Sequence, residues 1–116
     1  MSTAKITYQG RLRTSCEHLS SGNTFITDAP KDNNGKGEAF SPTDTIAAGL
    51  ASCMLTVMGI KAASMEGSCI DGATALVTKT MASSPRRISK IEVVFNFPTK
   101  LDTKMQKILE NTGNTC

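Results

Sequence analysis

Residues 41–60 read SPTDTIAAGLASCMLTVMGI, and this stretch decides the fold. It opens with a complete helix-start signal, because Ser41 can cap a helix, Pro42 suits the first helical position and Asp44 closes a capping box. The residues from Thr45 to Ile60 carry no charge. A helix that is apolar nearly all round is enclosed by other elements rather than lying on a surface. We therefore predict a long, buried central helix that ends at Gly67.

The composition of this helix does not favour a membrane span. Its uncharged run is shorter than the ~20 apolar residues that a bilayer requires, and Gly49, Ser52 and Thr56 dilute it further. The N-terminal residues have neither the apolar segment nor the cleavage site of a secretory signal peptide. We expect a cytoplasmic protein that does not span a membrane.

The length and the composition predict one small domain over residues 1–116. Aromatic residues make up 4% of the chain and Trp is absent, so the core must be filled mainly by aliphatic side chains and methionine. Such a thin core cannot enclose a central helix, and we expect a second subunit to complete its burial in a homodimer. The net charge of +3 is small and scattered, which argues against a nucleic-acid partner.

Alternating and turn-rich segments predict an α+β fold in which antiparallel sheets surround the central helix. The second strand would carry Arg11 and Arg13 on one side, and Cys16 and His18 would share a face. A loop over residues 28–38 leads into the central helix, and a short helix over residues 101–109 is followed by a Gly/Asn turn. The predicted strands are residues 6–10, 11–18, 24–27, 68–81 and 87–97, and the last has alternate apolar residues on one face.

The four cysteines predict neither a disulfide scaffold nor a zinc site. They are Cys16, Cys53, Cys69 and Cys116, and one of them lies in the middle of the central helix. The only closely spaced pair of candidate metal ligands is Cys16 and His18, without a second pair to complete a site. We expect no metal and no cofactor, and we interpret Cys16 and Cys69 as small, half-buried residues.

A family resemblance rests on three features of the sequence. Residues 35–44 read GKGEAFSPTD, residues 47–54 read AAGLASCM, and Cys116 follows a predicted helix. The most specific feature is a proline at the helix start with one cysteine 11 residues later and another 63 residues beyond that. Together these features resemble the OsmC/Ohr family of organic hydroperoxide reductases over nearly the whole chain.

The resemblance implies an OsmC-like fold, in which two chains form an intertwined dimer around their long central helices. It also implies a thiol-dependent peroxidase that reduces organic hydroperoxides to alcohols. Cys53 would be the peroxidatic cysteine and Cys116 the resolving cysteine. An external thiol reductant, a lipoylated protein in the best-known members, would reset the enzyme.

This chemistry requires a thiolate at Cys53, and the start of the helix is too distant to lower the pKa of that thiol. A nearby cation is therefore needed, and Arg13 and Arg11 are the candidates; the resemblance favours an arginine of the N-terminal sheet, and we prefer Arg13. The resemblance also implies an acidic residue that orients the arginine just after the helix-start proline, where this sequence has Thr43 and Asp44. Asp44 lies on the opposite side of the helix from Cys53, so it either acts through the arginine or across a dimer, or serves only as a cap.

Alternatives remain open for His18, for the end of the sequence and for the function. His18 either lines the binding pocket or is an ordinary surface residue. Family members continue past the second cysteine through further strands, whereas this sequence ends at Cys116, so either it is truncated or its sheet is smaller. The competing function is a noncatalytic binding protein or a redox sensor with the same fold.

Overall fold

The computed structural model describes residues 2–65, 70–97 and 103–114. Two compact units make up the chain, Met1–Ile46 and Ala47–Cys116. The elements are β1 (Ala4–Gly10), β2 (Arg13–His18), β3 (Thr24–Asp28), a short 3₁₀ helix (Lys31–Asn33), α1 (Pro42–Ala63), β4 (Thr74–Ala82), β5 (Arg87–Asn96) and α2 (Thr103–Gly113). The α+β class with two antiparallel sheets is confirmed, whereas the intertwined dimer stays a prediction.

The first unit contains an antiparallel sheet in the order β1-β2-β3. Gly10 pairs with Arg13, so Arg11 and Leu12 form a two-residue hairpin turn. Both have positive φ, 56° and 63°, which suits the twist of a tight hairpin. The prediction that Arg11 lies on the second strand beside Arg13 was therefore wrong, because β2 begins only after this turn.

Helix α1 begins with the predicted capping box. The backbone N–H of Asp44 donates to Ser41 Oγ at 3.0 Å, and the backbone N–H of Ser41 donates to Asp44 Oδ2 at 3.0 Å. These bonds satisfy the donors that a helix start leaves open. The helix ends at Ala63, and the predicted end at Gly67 lies outside the described residues.

Helix α1 is longer than the uncharged run at its centre. The argument that it is too short to span a membrane was therefore wrong. Its 22 residues are long and apolar enough to cross a bilayer by length and composition alone. The buried residues nevertheless form one stripe along the helix, Ala47, Ala51, Met58 and Ala62. Since Met58 and Ala62 pack in a core with Leu109 of α2, this stripe is the packing face of a core helix.

The second unit consists of the β4–β5 hairpin, α2 and the rest of α1. Along β5 the half-buried residues alternate with exposed ones, and Phe95 packs against the core of Met58, Ala62 and Leu109. Helix α2 continues to Gly113, two residues past the start of the predicted Gly/Asn turn. Glycine is favoured at position 113, because a Cβ there would lie only 3.0 Å from Met58 Sδ. The two helices approach each other closely at this point.

Candidate functional site

Cys53 lies eleven residues after the start of α1, and its side chain is exposed within the chain. It is disulfide-bonded, whereas Cys16 is a free thiol and therefore is not its partner. Cys69 and Cys116 both lie outside the described residues, and so does the prediction that Cys116 resolves Cys53. An exposed cysteine in a disulfide has the reversible thiol chemistry that oxidation and reduction require.

Arg13, at the start of β2, lies between two carboxylates. Its Nε is 3.5 Å from Asp28 Oδ1, and its Nη2 is 3.5 Å from Asp28 Oδ2. The same Nη2 donates to Glu38 Oε1. Nε and Nη2 of the guanidinium thus face the Asp28 carboxylate side-on, and Nη2 also contacts Glu38.

Asp28 is the buried member of this cluster, because its side chain is 0% exposed while that of Arg13 is 32% exposed. The backbone N–H of Glu38 donates to Asp28 Oδ2 at 2.9 Å. That bond, followed by the hydrogen bond and the charge of Arg13, holds the pKa of Asp28 below its ordinary value, although burial acts in the opposite direction. Asp28 is therefore ionised at neutral pH.

Asp44 closes the capping box in the first turn of α1, and its role in orienting the arginine stays a prediction. Its carboxylate accepts the backbone N–H of Ser41 within the capping box, at the start of α1. Arg13 is in contact with the carboxylates of Asp28 and Glu38. Arg13 belongs to the first unit and Cys53 to the second, so the pairing of Arg13 with Cys53 stays a prediction.

Asp28 and Glu38 were missed because sequence reasoning looked for the acid only after Pro42. A signal for Asp28 was present: Arg13 and Asp28 are equally far from the centre of the turn at Ser20 and Ser21. In a regular hairpin, residues equidistant from the turn face each other across the strands. The register confirms this, since Arg13 is paired with Asp28.

His18 and Cys16 line a largely apolar cavity of about 570 Å³ in the first unit. The ring of His18 is also held by two hydroxyls, with Nδ1 2.6 Å from Ser21 Oγ and Nε2 3.3 Å from Ser20 Oγ. A role of His18 in binding stays a prediction. The full lining is Ala4, Ile6, Thr14, Cys16, Glu17, His18, Asn23, Thr24, Phe25, Thr27, Pro42 and Thr45.

No cluster of three His, Cys, Asp or Glu residues that could hold a metal ion occurs within residues 2–65, 70–97 and 103–114. The side chains around Arg13 also differ from a metal site, because the guanidinium itself occupies the space between the two carboxylates.

A model of the OsmC-like protein family matches residues 35–116. The chain belongs to the OsmC family. The matched region contains the capping box, all of α1 and Cys53, which are the features that carried the resemblance in the sequence. The family match thus establishes membership, and the structure itself shows the α+β class.

Two solved structures are similar to this OsmC family member. One is a protein from Psychrobacter arcticus 273-4, provisionally described as an osmotic stress induced and detoxification response protein. It is 60% identical with a TM-score of 0.96, and the match covers 100% of this chain and 84% of that one. The other is an OsmC-like protein of unknown function from Vibrio cholerae, 16% identical with a TM-score of 0.75 over 99% of this chain and 89% of that one, which shows the fold alone. None of the curated proteins matches the chain.

Proposed function

We propose that this protein is a thiol-dependent peroxidase that reduces organic hydroperoxides to alcohols, with Cys53 as the peroxidatic cysteine and Cys116 as the resolving cysteine. The observation that carries the proposal is the state of Cys53, an exposed helical cysteine that is disulfide-bonded while Cys16 remains a free thiol. Membership of the OsmC family and the detoxification response named for the Psychrobacter relative support the same chemistry.

The reaction would proceed in three balanced steps. The Cys53 thiolate attacks the terminal oxygen of the hydroperoxide, the O–O bond breaks, and the leaving alkoxide takes a proton to become the alcohol. Cys53 is then a sulfenic acid, and the Cys116 thiol attacks its sulfur to form a disulfide with release of water. Two thiols of an external reductant, of which a lipoylated protein is one candidate, reduce the disulfide by thiol–disulfide exchange.

Activation of Cys53 requires a positive charge that its own helix does not supply. Eleven residues of helix separate the thiol from the helix start by about 16 Å, and the helix dipole acts only within the first turn. Arg13 is the proposed cation, because its guanidinium is partly exposed and is held by Asp28 and Glu38. We propose a cytoplasmic homodimer, in which the second subunit covers the apolar side chains that α1 leaves exposed.

The test is to treat the reduced protein with a stoichiometric pulse of cumene hydroperoxide and to follow it by intact-mass and peptide-mapping mass spectrometry. We expect rapid loss of two hydrogens and a Cys53–Cys116 linkage. Cys53→Ser should abolish the reaction, and Cys116→Ser should stop it at the sulfenic acid. Cys16→Ser is the matched control and should react like the unaltered protein. An unchanged mass, or slow oxidation of methionines alone, would contradict the proposal.

The apolar cavity beside Cys16 and His18 favours one other candidate, a noncatalytic binding protein of the same fold that holds an apolar ligand. With a reductant present, a peroxidase consumes many equivalents of hydroperoxide. A redox sensor consumes one equivalent when it is oxidised, and a binding protein need not consume any. Consumption of many equivalents of hydroperoxide with excess dihydrolipoamide would support the peroxidase. A single equivalent consumed would favour the sensor.

A further inference from the structure

Within the second unit, α2 packs on α1 through buried residues that lie one helical turn apart, Leu109 and Gly113. Leu109 packs with Met58 and Ala62 of α1. Gly113 lies closer to the start of α1, because a Cβ at this position would be 3.0 Å from Met58 Sδ and 3.8 Å from Met54 Cβ. The contacts of α2 therefore move toward the start of α1 as α2 approaches its own end.

The missing side chain of Gly113 sets how closely the two helices approach. A Cβ there would also lie 3.3 Å from Met58 Cγ, and Met58 is 0% exposed. Carbon atoms in favourable contact are about 3.5–4.0 Å apart, so an added methyl group would displace Met58 or move the helices apart. Gly113 is helical, a conformation that alanine also adopts, so the close approach rather than the backbone favours glycine.

The contact at Gly113 lies near both cysteines along the chain. Cys116 follows Gly113 by three residues, and Cys53 directly precedes Met54. Consecutive Cα atoms are about 3.8 Å apart, and three extended residues span at most about 10 Å. A disulfide joins residues whose Cα atoms are about 6 Å apart. The helix contact therefore keeps Cys53 at a distance that the residues after Gly113 can span.

We propose that Gly113 is a positioning residue for the resolving step, because its missing side chain lets α2 bring the segment that ends in Cys116 up to the turn of α1 that carries Cys53. This inference rests on the proposed function, in which the Cys116 thiol attacks the Cys53 sulfenic acid. Gly113 acts by raising the effective concentration of one thiol near the other, and such proximity effects respond steeply to small displacements.

The first test measures how readily the two thiols pair, and it needs no hydroperoxide. The protein is equilibrated with mixtures of reduced and oxidised glutathione, in which each protein disulfide that forms reduces one oxidised glutathione to two thiols. Peptide mapping quantifies the Cys53–Cys116 linkage. We expect Gly113→Ala to lower the equilibrium constant for this disulfide about tenfold. An unchanged constant in folded Gly113→Ala would overturn the inference, as would a linkage of Cys53 to Cys69 in place of Cys116.

The matched control is Gly59→Ala, which adds the same methyl group inside α1. A Cβ at Gly59 would approach Ile70 Cδ1 no closer than 3.8 Å, an ordinary van der Waals distance. Both substitutions raise helix propensity by a similar amount, so an effect of propensity alone would appear in both variants. Gly59→Ala should keep the equilibrium constant of the unaltered protein, and an equal decrease in the two variants would contradict the role given to Gly113.

A second variant tests whether the contact with Met58 is the cause. Met58→Ala removes the Cγ and Sδ atoms that a Cβ at residue 113 would approach. In this background we expect Gly113→Ala to change the equilibrium constant by less than about twofold, because the steric conflict is gone. A substitution that acted without this contact would cause the same loss in both backgrounds, and that result would overturn the inference.

A pulse of cumene hydroperoxide then separates the two chemical steps. Trapping with dimedone gives the rate at which Cys53 becomes a sulfenic acid, and intact mass gives the rate at which the disulfide closes. We expect Gly113→Ala to form the sulfenic acid at the unaltered rate and to close the disulfide about tenfold more slowly. Slower formation of the sulfenic acid with an unchanged closing rate would overturn the inference. If the glutathione results hold while the unaltered protein does not react with hydroperoxide, the proposed function fails and the positioning by Gly113 does not.

Discussion

Arg13 shows at the residue scale how one side chain can be fixed by two carboxylates of different character. Asp28 is buried and tied to the backbone of the Glu38 loop, while the side chain of Glu38 is mostly exposed. A buried ionised group is costly unless it is paired, so Arg13 and Asp28 depend on each other. We therefore expect this ion pair to contribute to the free energy of unfolding, which can be measured without an activity assay.

The stability of the fold should depend on the charge of Asp28 in a pH-dependent way. A carboxyl whose pKa is lower in the folded state contributes stability that is fully present above the unfolded-state value, near 3.8, and is lost as the pH falls through the folded-state value. We expect Asp28→Asn to be less stable than the unaltered protein at neutral pH, with a difference that narrows in acid. Urea unfolding over a pH series measures this.

The matched control is Asp71→Asn, the same substitution at an exposed turn residue. Its free energy of unfolding should stay within ~0.5 kcal/mol of the unaltered protein at every pH. An Asp28→Asn difference that is constant across the series would show that the carboxylate contributes through packing rather than through charge.

Helix α1 shows at the element scale how a short local signal fixes a long structure. The capping box formed by Ser41 and Asp44 satisfies donors at the helix start, and Ser41 is itself buried. The apolar body of the helix then packs along one stripe rather than all round. The start of the helix is thus specified locally, while its packing face depends on the neighbouring elements.

Ser41→Ala removes one half of the capping box and should lower the free energy of unfolding by about 1 kcal/mol. Ser52→Ala makes the same substitution at an exposed position inside α1, where no cap is lost, and should be neutral or slightly stabilising. Both are measured by chemical denaturation at one pH. Equal effects of the two substitutions would contradict the role given to Ser41.

The whole molecule leaves apolar side chains uncovered within one chain. On α1, Ile46 is 60% exposed and Ile60 is 69% exposed, and on β4 Leu76 is 75% exposed. Large apolar side chains that are exposed to this extent are candidates for burial by a second subunit. This is the physical basis for the homodimer in the proposed function.

Ile60→Glu should weaken the dimer, because it would bury a charge where an apolar side chain is expected to be covered. Lys61→Glu introduces the same side chain one residue later, at another exposed position, and should leave the assembly unchanged. Size-exclusion chromatography with light scattering at several concentrations gives the mass of each variant. Equal masses for Ile60→Glu and the unaltered protein would contradict the prediction that the second subunit covers Ile60 of α1.

The sequence by itself determined those features that depend on near neighbours. The start of α1, the hairpin of β4 and β5 and the alternation along β5 follow from capping residues, turns and side-chain periodicity within a few positions. The family could also be identified from the sequence, because helix start and cysteines occur at a characteristic spacing.

Only the tertiary structure decided which residues surround Arg13. Asp28 and Glu38 are 15 and 25 residues away along the chain, and strand register and the path of the loop bring them to the guanidinium. Arg11 lies in a turn and not on β2, and this position likewise depends on the pairing of Gly10 with Arg13. Local patterns specify such contacts only weakly, because a shift of one residue in register would place a different side chain opposite the arginine.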